Sequence, residues 1–140
     1  MASAERGRDR LAERVSAAGL PNAVTVTGTP WPLNPGADLS VFRVVQESLT
    51  NALKHAGPAT AEVALAYETD RLVVRISDNG RGEAGESGGE HGLIGMRERA
   101  ALYGGTLSAG TAENGGFAVV LTLPRSAAAS LDHTERDRGG

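Results

Sequence analysis

Apolar and polar positions repeat along this chain with two different periods, and the switches between them divide it into elements. From Phe42 onward the period is helical. At about 100° per residue, Phe42, Val45, Leu49, Ala52, Leu53 and Ala56 fall in one arc, with Glu47, Asn51, Lys54 and His55 nearly opposite. This predicts a long helix ending at Ala56, with Asp38 and Ser40 as candidate N-caps. Gly57-Pro58 stops it. A shorter helix is predicted over Arg8–Ala18, with Leu11, Val15 and Ala18 on one side and Gly19-Leu20-Pro21 ending it. A third is predicted over Gly92–Tyr103, with Leu93, Met96, Ala100 and Tyr103 inward and Gly104-Gly105 capping it. Elsewhere the period is two. Val63, Leu65 and Tyr67 alternate with polar or small residues in Ala61–Glu68, and Leu72, Val74 and Ile76 do the same in Arg71–Asp78. Thr69-Asp70 joins those two as a hairpin. Val24–Thr27, Thr106–Thr111 and Phe117–Leu123 read as three more strands, the last two joined through Ala112–Gly116 and closed by Pro124.

Between these elements the pattern lapses. Gly28–Gly36 carries three prolines and reads as a loop. Asn79–Glu90 is glycine-rich, acidic and aperiodic, and is expected to be a mobile loop. Residues 126–140 are small, polar and charged, and are expected to be a disordered tail. Strand pairs separated by helices imply a two-layer α/β (α+β) sandwich. Its sheet would be mixed, mostly antiparallel and covered on one face by helices.

Composition narrows the function classes. A chain of 140 residues suits one domain with a real core. Its 14 basic against 17 acidic residues leave a net charge of −3, which offers no footprint for nucleic acid or for direct contact with an anionic membrane. There is no cysteine, so neither disulfides nor thiolate metal sites exist. No apolar run approaches the roughly 20 residues of a membrane span, and no apolar signal segment opens the chain. A cytoplasmic domain is expected, cut from a larger chain or forming the cytoplasmic part of a membrane-bound sensor.

Three motifs carry candidate chemistry. On the long helix, the Asn51 amide oxygen suits a hard cation such as Mg²⁺, which takes most of its remaining ligands from waters and phosphates. Glu47, one turn earlier, would orient a water or attacking group, and Lys54 or His55 would neutralise phosphate charge. The same stripe would serve equally as a solvated face steadied by Glu47–Asn51 and Asn51–His55 pairs. The second motif is Asp78-Asn79-Gly80-Arg81-Gly82. Asp78 continues the parity of Leu72, Val74 and Ile76, so its carboxylate faces the core side and needs a donor there. A purine amino group would supply one, with Gly80 and Gly82 admitting a flat ligand; an ordinary Asp-Asn-Gly turn accounts for the same residues. Gly80, Gly82 and Gly85 also spell G-x-G-x-x-G, but no helix opens within them as a dinucleotide fold requires. The third motif is His91-Gly92-Leu93-Ile94-Gly95-Met96-Arg97, a glycine-rich entry into a helix whose free N–H groups suit a phosphate.

In combination these motifs resemble a known family. Gln46-Glu47-Ser48-Leu49-Thr50-Asn51-Ala52-Leu53-Lys54-His55-Ala56 looks like the N box of the GHKL ATPases. Asp78-Asn79-Gly80-Arg81-Gly82 looks like their first glycine box, and His91–Gly105 like the second, in a wording close to sensor histidine kinases of the nitrate/nitrite-sensor and DesK type. The resemblance runs from about Leu11 to Pro124. It implies the GHKL fold, with residues 1–18 as a connecting helix and 19–125 as the ATP-binding domain. It also implies ATP and Mg²⁺ as cofactors. Asn51 would bind the metal and Glu47 would hold the catalytic position, with Lys54 and His55 towards the phosphates. Asp78, Gly80 and Gly82 would meet the adenine. Gly92, Leu93, Gly95 and Met96 would form the phosphate-side turn, and Asn79–Glu90 the ATP lid. The implied activity is transfer of the ATP γ-phosphoryl group to a histidine on a separate dimerisation and phosphotransfer domain, with a response regulator downstream. No acceptor histidine in a two-helix hairpin occurs in this chain, so the catalytic domain alone is expected. An anti-sigma-type serine kinase, or a nucleotide-responsive interaction module without transferase activity, are the alternatives. One departure stands out: many relatives carry Thr after the glycine that opens the last strand, whereas Phe117 follows Gly116 here.

Overall fold

In the computed structural model, residues 2–55, 58–80, 89–112 and 115–125 are described. The period-two segments build one five-stranded sheet from β1 (Asn22–Gly28), β2 (Ala61–Tyr67), β3 (Arg71–Asp78), β4 (Thr106–Thr111) and β5 (Phe117–Pro124). The strand order is β1-β2-β3-β5-β4. Only the β1–β2 pair is parallel; β2–β3, β3–β5 and β4–β5 are antiparallel. The helices are α1 (Ala2–Ala17), α2 (Pro35–His55) and α3 (Gly89–Leu102). A parallel pair needs a crossover, and α2 provides it between β1 and β2. The expected sandwich, with a mixed and mostly antiparallel sheet, is therefore what the chain forms.

Alternation decides which sheet face is buried. Val63 and Leu65, Leu72, Val74 and Ile76, and Val119, Leu121 and Leu123 are all buried, while Glu62, Ala64 and Arg75 between them are exposed. The helices cover the first set. From α2 come Ala37, Val41, Val44, Val45, Leu49 and Ala52; from α3, Met96 and Ala100; from α1, Leu11, Ala12 and Val15. Each such Val or Leu contributes about 1.5–3 kcal/mol of transfer free energy. The helix expected to be a connector thus shares the core of the rest.

The element boundaries differ from expectation in instructive ways. α2 begins at Pro35, so Asp38 and Ser40 lie inside it and neither occupies the N-cap position. The cap is Asn34, whose side-chain oxygen accepts the Ala37 N–H at 2.8 Å. Proline at the first helical position gives up only an N–H that has no intrahelical partner anyway. α1 starts well before Arg8, β1 extends to both sides of Val24–Thr27, and α3 starts at Gly89, three residues before Gly92. Most of the expected lid (residues 81–88), Ala56-Gly57 and the tail 126–140 lie outside the described residues.

At one end of the sheet a clasp fastens three segments. The Trp31 indole N–H donates to the Glu68 carbonyl at 2.9 Å. Its ring meets Tyr67 edge-on, with centroids 5.5 Å apart, and the Arg125 guanidinium carbon lies 5.2 Å from the Trp31 centroid. The Arg125 N–H closes the group on the Asp70 carbonyl at 2.7 Å.

Removing the cap tests the revised helix start. Asn34→Ala is expected to lower stability by about 1 kcal/mol, read as a lower urea midpoint with an unchanged slope.

Candidate nucleotide site

The opposite end of the sheet gathers the polar motifs. β3 ends at Asp78, which is paired with Ala61 at the start of β2. α2 ends at His55, only six residues before Ala61. At 3.3–3.6 Å per residue that link spans at most about 20 Å, so the last turns of α2 and the end of β3 share one end of the sandwich.

Asp78 keeps the parity of Leu72, Val74 and Ile76 and is buried, with 6% of its surface exposed. Its Oδ1 accepts the Gly80 N–H at 2.8 Å, an Asx turn that fixes the carboxylate plane. Among the described residues none donates to Oδ2, and no buried side-chain polar atom lacks a partner. Asn79 secures the turn from the other side. Its side-chain oxygen accepts the Thr60 N–H at 2.8 Å, and its own N–H donates to the Thr60 carbonyl at 3.2 Å.

Gly116 completes the support, and the sequence pattern alone assigned it no role beyond a loop end. A Cβ there would sit 1.8 Å from the Asp78 carbonyl oxygen and 2.9 Å from the Asn79 Cα. Only glycine lets the start of β5 lie against this turn. The signal is not local, because the clashing atom belongs to a residue 38 positions away.

On α2 the polar stripe sits differently from expectation. Val41, Val44 and Ser48 are buried in addition to Val45, Leu49 and Ala52. The buried arc is thus turned towards the stripe, which borders the core instead of opposing it. Glu47 and Asn51 are consequently half-buried and Lys54 is exposed. His55 closes the helix. Among the described residues no group of three or more His, Cys, Asp or Glu could hold a metal. A cation beside Asn51 would take little from the protein and most of its shell from waters and phosphate, the habit of Mg²⁺.

The second glycine motif lies within a helix and not a turn. Gly92 belongs to the first turn of α3. Gly95 comes after that turn, and Leu93 and Gly95 are half-buried. Met96 is 1% exposed, and its sulfur accepts the Ser48 hydroxyl at 3.9 Å, so it anchors α3 on α2. Gly80 lies in the Asx turn, while Gly82 lies outside the described residues.

This arrangement sits inside a recognised sequence pattern. Residues 36–127 match the family model for histidine kinase-, DNA gyrase B- and HSP90-like ATPases. The chain belongs to this ATPase family. The sensor histidine kinase LnrJ of Bacillus subtilis is 35% identical over 102 residues, which are 73% of this chain and 25% of that protein. The oxygen sensor histidine kinase NreB of Staphylococcus carnosus is 41% identical over 87 residues, 60% of this chain and 25% of its own. The chain thus spans about a quarter of the length of these curated relatives. Among solved structures, the mycobacterial sensor histidine kinase MprB superposes with a TM-score of 0.67 at 25% identity, covering 86% of this chain and 94% of that one. The mixed five-stranded sheet and the three helices described above are those of an ATPase of this family. No helix among the described residues is long and apolar enough to cross a membrane.

Gly116→Ala tests the close approach at this end. Overpacking against backbone is expected to cost about 1–3 kcal/mol, measured by denaturant melts, with amide exchange rising at Gly80 and Asn79 ahead of the rest of the sheet.

Proposed function

We propose that this chain is the ATP-binding catalytic domain of a sensor histidine kinase. In that role it donates the γ-phosphoryl group of ATP to a histidine on a separate dimerisation domain, from which a response regulator is then served. The observation that carries this reading is the placement, at one end of the sandwich, of a buried carboxylate held by the Gly80 N–H and a half-buried Glu47–Asn51 stripe. The likeness to LnrJ, NreB and MprB, all sensor histidine kinases, supports it over an anti-sigma-type kinase.

In this reading Asp78 Oδ2 accepts from the adenine amino group, and the Gly80 N–H keeps the carboxylate aimed. The half-buried amide oxygen of Asn51 fits a Mg²⁺ ion held mostly by phosphate and water. The ion, when bound, neutralises charge on the β- and γ-phosphate oxygens. Lys54, on its exposed stem, and His55 add positive charge along the phosphate chain. Glu47 orients the incoming imidazole and takes up its proton. The bond formed joins the histidine nitrogen to the γ-phosphorus, and the bond broken leaves ADP. Such transfer depends on positioning and charge neutralisation, so the site needs no nucleophile of its own. The N-terminus of α3, the positive end of its dipole, suits the phosphates.

Two substitutions test the assignment by calorimetry with ADP, with and without Mg²⁺. Asp78→Asn is expected to weaken binding about 10- to 150-fold, the worth of a charged hydrogen bond, with the far-UV spectrum unchanged. Full affinity in that variant would refute the base assignment. Asn51→Ala is expected to erase the Mg²⁺-dependent part of binding and phosphotransfer to a histidine-bearing partner domain, while metal-free affinity stays the same.

A further inference from the structure

β1 is an outer strand of the sheet and has β2 on one side only. It follows β2 in an unbroken register, from Asn22 beside Ala61 to Gly28 beside Tyr67, with no bulge. The Pro21 carbonyl accepts the Ala61 N–H at 2.9 Å, so the backbone at Pro21 turns towards β2. Along a strand the N–H and C=O groups change sides from one residue to the next. Ala23, Thr25 and Thr27 therefore bond β2, while Val24 and Val26 turn theirs outward. Among the described residues no backbone group pairs with them on that side. The strand also lacks the usual guards of an edge, since Asn22–Gly28 holds neither a charged residue nor a proline. The other outer strand is treated differently: Arg97 of α3 donates to the Leu107 carbonyl of β4 at 3.5 Å.

α1 lies along the same edge. Between α1 and β1 runs an open groove of about 330 Å³, lined by Asp9, Ala12, Glu13, Ser16, Asn22 and Val24. Asp9 and Glu13 are one helical turn apart, and both are exposed. Val26 shares the helix-facing side of β1 with Val24, yet 50% of its surface is exposed. A chain laid along this edge would meet two carboxylates beside Val24 and an apolar side chain two residues further on.

We propose that the outer edge of β1 accepts an extended, basic segment of a partner protein as a sixth strand. The added backbone bonds Val24 and Val26. One helix-facing side chain of the segment, Lys or Arg, lies against Asp9 and Glu13. The next on that side, two residues away, is apolar and covers Val26. Strand addition of this kind takes its affinity from the backbone and its specificity from alternate side chains. A second copy of this chain fits the edge less well. β1 offers no cation, and two β1 strands joined antiparallel would set both acidic α1 faces on one side of the joined sheet. This surface is independent of the nucleotide reading.

The test uses the full chain and a capped heptapeptide, Thr-Lys-Thr-Val-Thr-Lys-Thr, whose palindromic order serves either strand direction. Amide exchange at Val24 and Val26 is expected to slow about tenfold or more when the peptide is added. Ala23 and Thr25, already bonded to β2, should change little. Asp9→Asn combined with Glu13→Gln is expected to weaken binding about three- to tenfold, the worth of two exposed ion pairs, and the difference should shrink as salt rises. N-methylation of the peptide on one alternate set of amides is expected to abolish binding, and on the other set to leave it intact, because only one edge of an added strand faces β1. Equal tolerance of both sets would overturn the proposal. So would equal binding of a peptide with glutamate in place of both lysines. Protection of Val24 and Val26 already present in the free chain, and lost on dilution or on removal of residues 126–140, would also overturn it, since a second copy or the chain's own tail would then hold the edge.

Discussion

The architecture of this site depends on a contact that no side chain could permit. The start of β5 lies directly against the carbonyl of Asp78, with Gly116 at the point of approach. That approach sets where β5 begins, which residue stands beside the carboxylate, and how tightly the Asp78–Gly80 turn is held. The turn in turn engages one carboxylate oxygen and fixes the carboxylate plane. Backbone geometry therefore does the aiming. A rigid acceptor costs little reorganisation when a ligand arrives, which is the general advantage of preorganised sites.

A second constraint comes from α2. One helix supplies much of the core and also carries the polar stripe. Because the buried arc is wide, Glu47 and Asn51 sit at its margin, neither free in solvent nor sealed in the interior. Half-burial lowers the local dielectric and strengthens any charge interaction made there. The same turn of helix holds Ser48 against Met96 of α3, so the stripe and the entry to α3 are tied through adjacent residues.

Much of this was legible in the sequence. Strict alternation placed β2, β3 and β5 and put Asp78 on the core side, because period-two parity survives folding intact. Helical spacing placed α2, but its N-terminus was misread: Asn34-Pro35-Gly36 looks like a loop until proline is recognised as a first-turn residue behind an asparagine cap. The beginning of α3 was missed for a related reason, since Gly89, Gly92 and Gly95 suggest irregular chain although glycine lowers helix stability by only about 1 kcal/mol each. The breadth of the α2 face was missed because Val41, Val44 and Ser48 lie off the narrower arc chosen. The role of Gly116 could not have been found by any local pattern, since its partner is fixed only when β3 and β5 pair.

The clasp at the far end has a practical consequence. Trp31 is the sole indole in the chain, and it is enclosed by Tyr67 and Arg125 at the end of β3 remote from Asp78. Its emission therefore monitors whether the sandwich is intact, and it does so from the end of the sheet opposite Asp78. An unfolding curve read from this one ring reports the loss of the clasp that joins the loop before α2, the β2–β3 turn and the end of β5.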